Sequence, residues 1–194
     1  HEARKLLQAG KIGEPHKIEA SFYYDLPENK RPWAFRKDLS GGGALMDAGI
    51  HCIDAIRFLV GDPVNNIEAR TDLHSPGGVD RIAKCSFTAA GVRCSLSICS
   101  NANYSSSIII YGDEGEIVVD SFAACWDTVT VKFLSYKGQR FNQLITVNVS
   151  MIYARQLQAF ADVILSQEVN YGSAIDALVN IKILEKLYEV SMPL

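Results

Sequence analysis

From residue 64 to residue 149 the apolar positions recur at every second residue, the period of a β-strand, and no other feature of the chain narrows its possible folds so far. Stretches at 66–73, 81–88, 92–100, 105–111, 116–120, 128–136 and 141–148 read as strands. Turn signals such as Ala90-Gly91, Asp113-Glu114-Gly115 and Lys137-Gly138 separate them. Short connections of this kind join antiparallel neighbours, so most of the region is an antiparallel meander. Val92, Cys94, Leu96 and Ile98 fall on one side of their strand, and Arg93, Ser95 and Ser97 on the other. That division predicts a sheet covered on one face and open on the second.

Helical patterns flank the meander. A short helix at 2–9 closes at Gly10, and a strand at 16–24 alternates Ile18, Ala20, Phe22 and Tyr24 with Lys17, Glu19, Ser21 and Tyr23. Residues 25–39, with Pro27, Pro32 and Trp33, form a long irregular loop of the sort that often carries function. A helix at 44–60 follows the glycines and stops at Gly61-Asp62-Pro63. Two helices end the chain at 151–167 and 174–190, the second opened by Ser173 with Asp176 in a capping-box-like spacing. Leu157, Phe160, Ala161, Ile164, Leu178, Ile181, Leu184 and Leu187 recur at helical spacing and are expected in the core. The fold class is α+β.

With 194 residues, 48% of them hydrophobic, the chain can bury a core as one domain without staples. Its net charge of −3, from 19 basic and 22 acidic residues spread along the sequence, leaves no basic footprint for nucleic acid or a membrane surface. No apolar run is long enough to span a bilayer, and the start lacks the order of a signal peptide; the expected location is the cytoplasm. Cys52, Cys85, Cys94, Cys99 and Cys125 contain no Cys-x-x-Cys pair and are expected to be reduced, small buried hydrophobes.

Chemistry-bearing residues gather after Ser40-Gly41-Gly42-Gly43. At about 100° per residue, Asp47, His51 and Asp54 lie within roughly 60° on a helical wheel, and Leu45, Ile53 and Ile56 cover the opposite side. A carboxylate one turn before an imidazole can orient the ring and raise its basicity. The same spacing also describes a solvated helix face, and three such side chains could bind a metal, although they match no zinc or calcium signature. The glycines could wrap an anion or permit a tight backbone approach. Tyr153 and Arg155, at a helix start, are candidates for lining a pocket, Tyr153 being taken as a substrate contact.

The run from Gly41 through Asp54, Gly-Gly-Gly-Ala-Leu-Met-Asp-Ala-Gly-Ile-His-Cys-Ile-Asp, followed by Leu59-Val60-Gly61, resembles the central motif of the glucose–fructose oxidoreductase, inositol dehydrogenase and MocA (Gfo/Idh/MocA) oxidoreductases. Leu6 to Gly13, Trp33 to Arg36, Tyr111 to Asp120 and Ser173 to Ser191 extend the resemblance over nearly the whole chain. It implies a large, mostly antiparallel, mixed open-faced sheet with helices on one face. It also implies that residues 1–194 are a C-terminal substrate-binding and oligomerisation domain, with the Rossmann domain and its Gly-x-Gly-x-x-Gly turn absent. In such a protein His51 would be the proton-transfer residue, Asp47 would orient it or hold a substrate hydroxyl, and Trp33 and Arg36 would cover the substrate or sense its anionic groups. Asp54 is expected in a structural hydrogen bond. The implied reaction is reversible oxidation of a sugar, polyol or related small alcohol by hydride transfer to NAD or NADP. No cofactor is expected to bind this chain alone, and no metal is expected. The implied partners are a small-molecule substrate and further copies of the chain, joined through the open sheet face. A non-catalytic binding or assembly domain of the same fold is the alternative.

Overall fold

A computed structural model describes residues 1–72, 78–123, 128–136, 142–165 and 172–194. Among these, nine strands form one sheet: β1 (Pro15–Asp25), β2 (Val64–Thr71), β3 (Ile82–Ala89), β4 (Val92–Cys99), β5 (Asn101–Gly112), β6 (Gly115–Asp120), β7 (Thr128–Ser135), β8 (Asn142–Asn148) and β9 (Met192–Pro193). Their order is β8-β7-β6-β5-β1-β4-β3-β2-β9. Two antiparallel meanders, β2 to β4 and β5 to β8, thus lie side by side with β1 inserted between them. β1 runs antiparallel to β5 and parallel to β4, and the small β9 runs parallel to β2. The predicted mixed, mostly antiparallel sheet is the observed one.

The helices are α1 (Glu2–Gln8), α2 (Lys37–Ser40), α3 (Ile50–Val60), α4 (Ile152–Ile164) and α5 (Ala174–Val190), with a 3-10 turn at Pro32–Phe35 and a π turn at Leu45–Gly49. The covered face of the sheet presents Ile18 and Ala20 of β1, Cys94, Leu96 and Ile98 of β4, and Ile108 and Ile110 of β5 to Leu45, Ala48, Cys52, Ile53 and Ile56. Each fully buried aliphatic side chain of this kind contributes ~1.5–3 kcal/mol. The opposite face carries Glu19, Ser21, Tyr23, Glu68, Arg70, Lys84, Ser86, Ser95 and Ser97. No helix among the described residues is long and apolar enough to cross a membrane.

The terminal helices divide the expectations made for them. α5 occupies residues 174–190 as predicted, capped by Ser173, whose hydroxyl accepts from the Asp176 amide at 3.1 Å, and it buries Ile183, Leu184 and Leu187. Leu178 is exposed. No residue of α4 is buried, and Leu157 is 70% exposed, which corrects the core placement of Leu157, Phe160 and Ile164. Helical spacing reveals which side of a helix is apolar; it carries no information on what covers that side.

Cys52, Cys85 and Cys94 are buried free thiols. Burial pushes the first two up to about 12 and Cys94 up to about 11, as inert core positions require. Cys125 lies outside the described residues.

A polar clamp ties α3 to α5. The nearly buried Arg57 guanidinium donates to both oxygens of Asp62, at 2.8 and 2.7 Å, and to Asn180 Oδ1 at 2.6 Å. This hydrogen bonding holds the Asp62 carboxyl below its ordinary value, against the opposing effect of desolvation. Because the folded pKa is depressed, the stability it contributes is present above the unfolded value of about 4 and lost as pH falls through the folded one. Arg57→Gln is therefore expected to lower the melting temperature at pH 7 and to weaken the acid-side fall in stability. Thermal melts between pH 2 and 7 check this, and an unchanged acid limb would refute it.

Candidate active site

The glycine loop is shaped by a close approach of two backbones. A Cβ at Gly43 would lie 1.8 Å from the Asp80 carbonyl oxygen and 2.6 Å from its nitrogen, so only glycine fits. Gly41, at φ +76°, ends α2 in the left-handed region. The Asp80 carboxylate accepts from the Gly43 amide at 3.0 Å and the Leu45 amide at 2.7 Å, and the Asp80 carbonyl accepts from Ala44 at 2.8 Å. Tyr188 Oη accepts from Met46 at 3.1 Å and donates to Asp80 at 2.7 Å. These amides are taken by the protein itself. Of the two uses open to the glycines, the one the structure forms is tight backbone approach.

The next turn changes what the helical wheel implied. Leu45–Gly49 is a π turn, closed by i to i+5 hydrogen bonds, so each residue advances by a smaller angle than in an α-helix. Asp47 consequently turns toward β1 and the long loop. Tyr24 donates to its Oδ2 at 2.7 Å and Arg31 at 3.4 Å. Among the described residues no hydrogen bond joins Asp47 to His51, so the expected pairing of the two is not formed. Burial and the Asp47 carboxylate push the Tyr24 phenol well above its ordinary range, which keeps it a donor.

Asp47 and His51 open into neighbouring cavities. A cavity of about 240 Å³ is lined by Asp47 together with Tyr24, Trp33, Phe35, Met46 and Asp80. Another of about 280 Å³ is lined by His51, Phe22, Asp54, Ala55, Phe122 and Ala123. β1 links them: the Phe22 ring lies 6.1 Å from the His51 ring and 5.7 Å from that of Tyr24, with Tyr104 and Phe122 each 6.0 Å away. An exposed imidazole and carboxylate thus stand beside an aromatic wall. Such a surface suits a ligand with an apolar ring face and hydroxyls at its edge.

The remaining candidates are distributed unevenly. Trp33, 51% exposed, lines the Asp47 cavity. Arg36 pairs instead with Asp38 at 2.6 Å in solvent and lines neither cavity, and Tyr153, on α4, is 67% exposed and also lines neither. Asp54 accepts from Asn180 Nδ2 at 2.7 Å, the structural hydrogen bond expected of it. Among the described residues no three His, Cys, Asp or Glu side chains are grouped to hold a metal ion. Sequence reasoning missed Tyr24 and Arg31 as partners of Asp47, and Asp80 and Tyr188 as partners of the loop. Tyr24 had a signal, since with Phe22 it ends the core-facing side of β1. Asp80 and Tyr188 had none, lying 37 and 145 residues from Gly43.

The chain is similar to several proteins of known activity. D-xylose 1-dehydrogenase [NADP(+)] of Haloarcula marismortui is 28% identical over 97% of this chain and 54% of its own length. A dTDP-3,4-didehydro-2,6-dideoxy-α-D-glucose 3-reductase of Saccharopolyspora spinosa is 32% identical over 60% of this chain and 35% of its own. A 3-ketoreductase from Actinomadura kijaniata, solved in complex with NADP and TDP-benzene, superposes with a TM-score of 0.86 at 19% identity, over 100% of this chain and 59% of that one. The chain therefore spans little more than half the length of the dehydrogenase and of the 3-ketoreductase. The family model of the GFO/IDH/MocA C-terminal domain matches residues 1–118, more than half of the sequence, and the chain belongs to that family.

Proposed function

We propose that this chain is the substrate-binding half of a longer NAD(P)-dependent oxidoreductase that oxidises or reduces a sugar, a polyol or a related small alcohol. The observation that carries the reading is the placement of an exposed imidazole and an exposed carboxylate, one turn apart in sequence, in adjoining cavities beside the Phe22 and Tyr24 rings. Membership of the family and relatives named as sugar dehydrogenases and sugar reductases support it. A nicotinamide cofactor, when bound, would supply the hydride chemistry and would be held by residues of a second domain. His51 takes the hydroxyl proton in oxidation and returns it in reduction. Asp47, fixed by Tyr24 and Arg31, accepts a hydrogen bond from a neighbouring substrate hydroxyl, a role that needs no contact with the imidazole. Trp33 covers the ring from the loop side. The polar outer face of the sheet is the surface through which copies of the protein associate.

The full-length protein, mixed with NAD or NADP and a panel of aldoses and polyols, is expected to reduce the cofactor with at least one of them. Ligand binding without cofactor-dependent turnover would overturn the enzyme reading and leave a binding or assembly domain. Light scattering on the same preparation tests the association, which a monomeric mass would refute.

A further inference from the structure

We infer that Asp80 and Tyr188 are positioning residues that hold the Asp47 carboxylate at the site, an inference resting on the proposal that Asp47 contacts substrate. A helix normally begins with amides that have no partner within the helix. Here the amides of Gly43, Ala44, Leu45 and Met46 are all met by two residues from distant parts of the chain, Asp80 just before β3 and Tyr188 near the end of α5. The unit is saturated. Asp80, 2% exposed, receives three donors through its two carboxylate oxygens, and the Tyr188 hydroxyl donates once while accepting from Gly43 at 3.3 Å and from Met46. A carboxylate buried to that extent is tolerated only when it is so bonded, and the amide ends of a helix favour its charge.

Asp47 is the residue directly after this clamp, and its own amide reaches back to the Gly43 carbonyl at 2.9 Å. The rotation of the segment is therefore set at residues 43–46, before the π turn carries the Asp47 side chain across to Tyr24. Loosening the clamp frees the segment to rewind as ordinary α-helix, which turns the carboxylate away from Tyr24. Burial next to Asp80 keeps the Tyr188 phenol protonated, so the clamp stays closed over the whole physiological range.

The test is Tyr188→Phe in the full-length protein, with Ile183→Val as a packing control on the same helix. Amide exchange at Gly43 and Met46 is expected to rise about 10-fold beyond any rise in α3, and kcat to fall about 10-fold with KM within about 3-fold; Ile183→Val should do neither. In an Asp47→Asn background the kcat effect of Tyr188→Phe should vanish, because a residue acting through Asp47 has nothing left to position. Exchange that does not rise selectively, or a kcat loss that persists without the Asp47 carboxylate, would overturn the inference. If the unmutated protein has no turnover, the proposed function fails, and the exchange pattern alone decides whether the clamp holds the segment.

Discussion

Replacing His51 with Asn in the full-length protein is expected to reduce turnover by about 10²-fold or more while leaving cofactor affinity unchanged. The imidazole sits in the first turn of α3, exposed, with the Phe22 ring on one side and its own cavity in front. Asparagine keeps a polar side chain of similar reach that can still bond a substrate hydroxyl, but it cannot take a proton. Loss of turnover with retained binding would therefore isolate the proton-transfer step from positioning. Because Asp47 is turned to Tyr24 and makes no bond to the imidazole, Asp47→Asn should be the milder change of the two. Steady-state kinetics together with a cofactor titration decide the matter, and near-normal turnover in His51→Asn would refute the assignment.

The largest effect on stability is expected from Gly43→Ala, with a loss above about 4 kcal/mol or a failure to fold. The added methyl would meet backbone atoms of Asp80, which no rotamer change can move aside. Relief would require the loop to withdraw, stranding the Asp80 carboxylate and four amides without partners. Gly10→Ala is the contrast: its φ of +64° strains an alanine, yet a Cβ there meets nothing within 4 Å, so it should cost about 1–2 kcal/mol. Urea unfolding of the two variants checks this, and a Gly43→Ala loss no greater than that of Gly10→Ala would show that the close approach is not maintained.

Much of the architecture was readable because it is written at short range. Alternation in Ile18, Ala20, Phe22 and Tyr24, and again in Cys94, Leu96 and Ile98, is a direct imprint of a sheet with one buried face. Ser173 and Asp176 announced the start of α5 by spacing alone. What stayed hidden depends on partners or on departures from ideal geometry. The wheel assigned Asp47 to His51 on the assumption of a constant turn angle, and the π turn removes that assumption. The clamp that fixes the glycine loop joins residues 37 and 145 positions from Gly43, for which no periodicity exists. Insertion of β1 between two meanders leaves no local trace either, since a central strand and an edge strand alternate alike.

That insertion also bears on how the molecule is assembled. Ser21 of β1 bonds Ser107 of β5 across 86 residues of chain, and β1 pairs on its other side with β4. The two meanders can each form from neighbours in sequence, but the sheet stays in two pieces until β1 slides into the seam between them. Closing loops of that length delays the step and makes the protein a slow folder for its size. During synthesis β1 must wait, unpaired and half apolar, until β4 has left the ribosome.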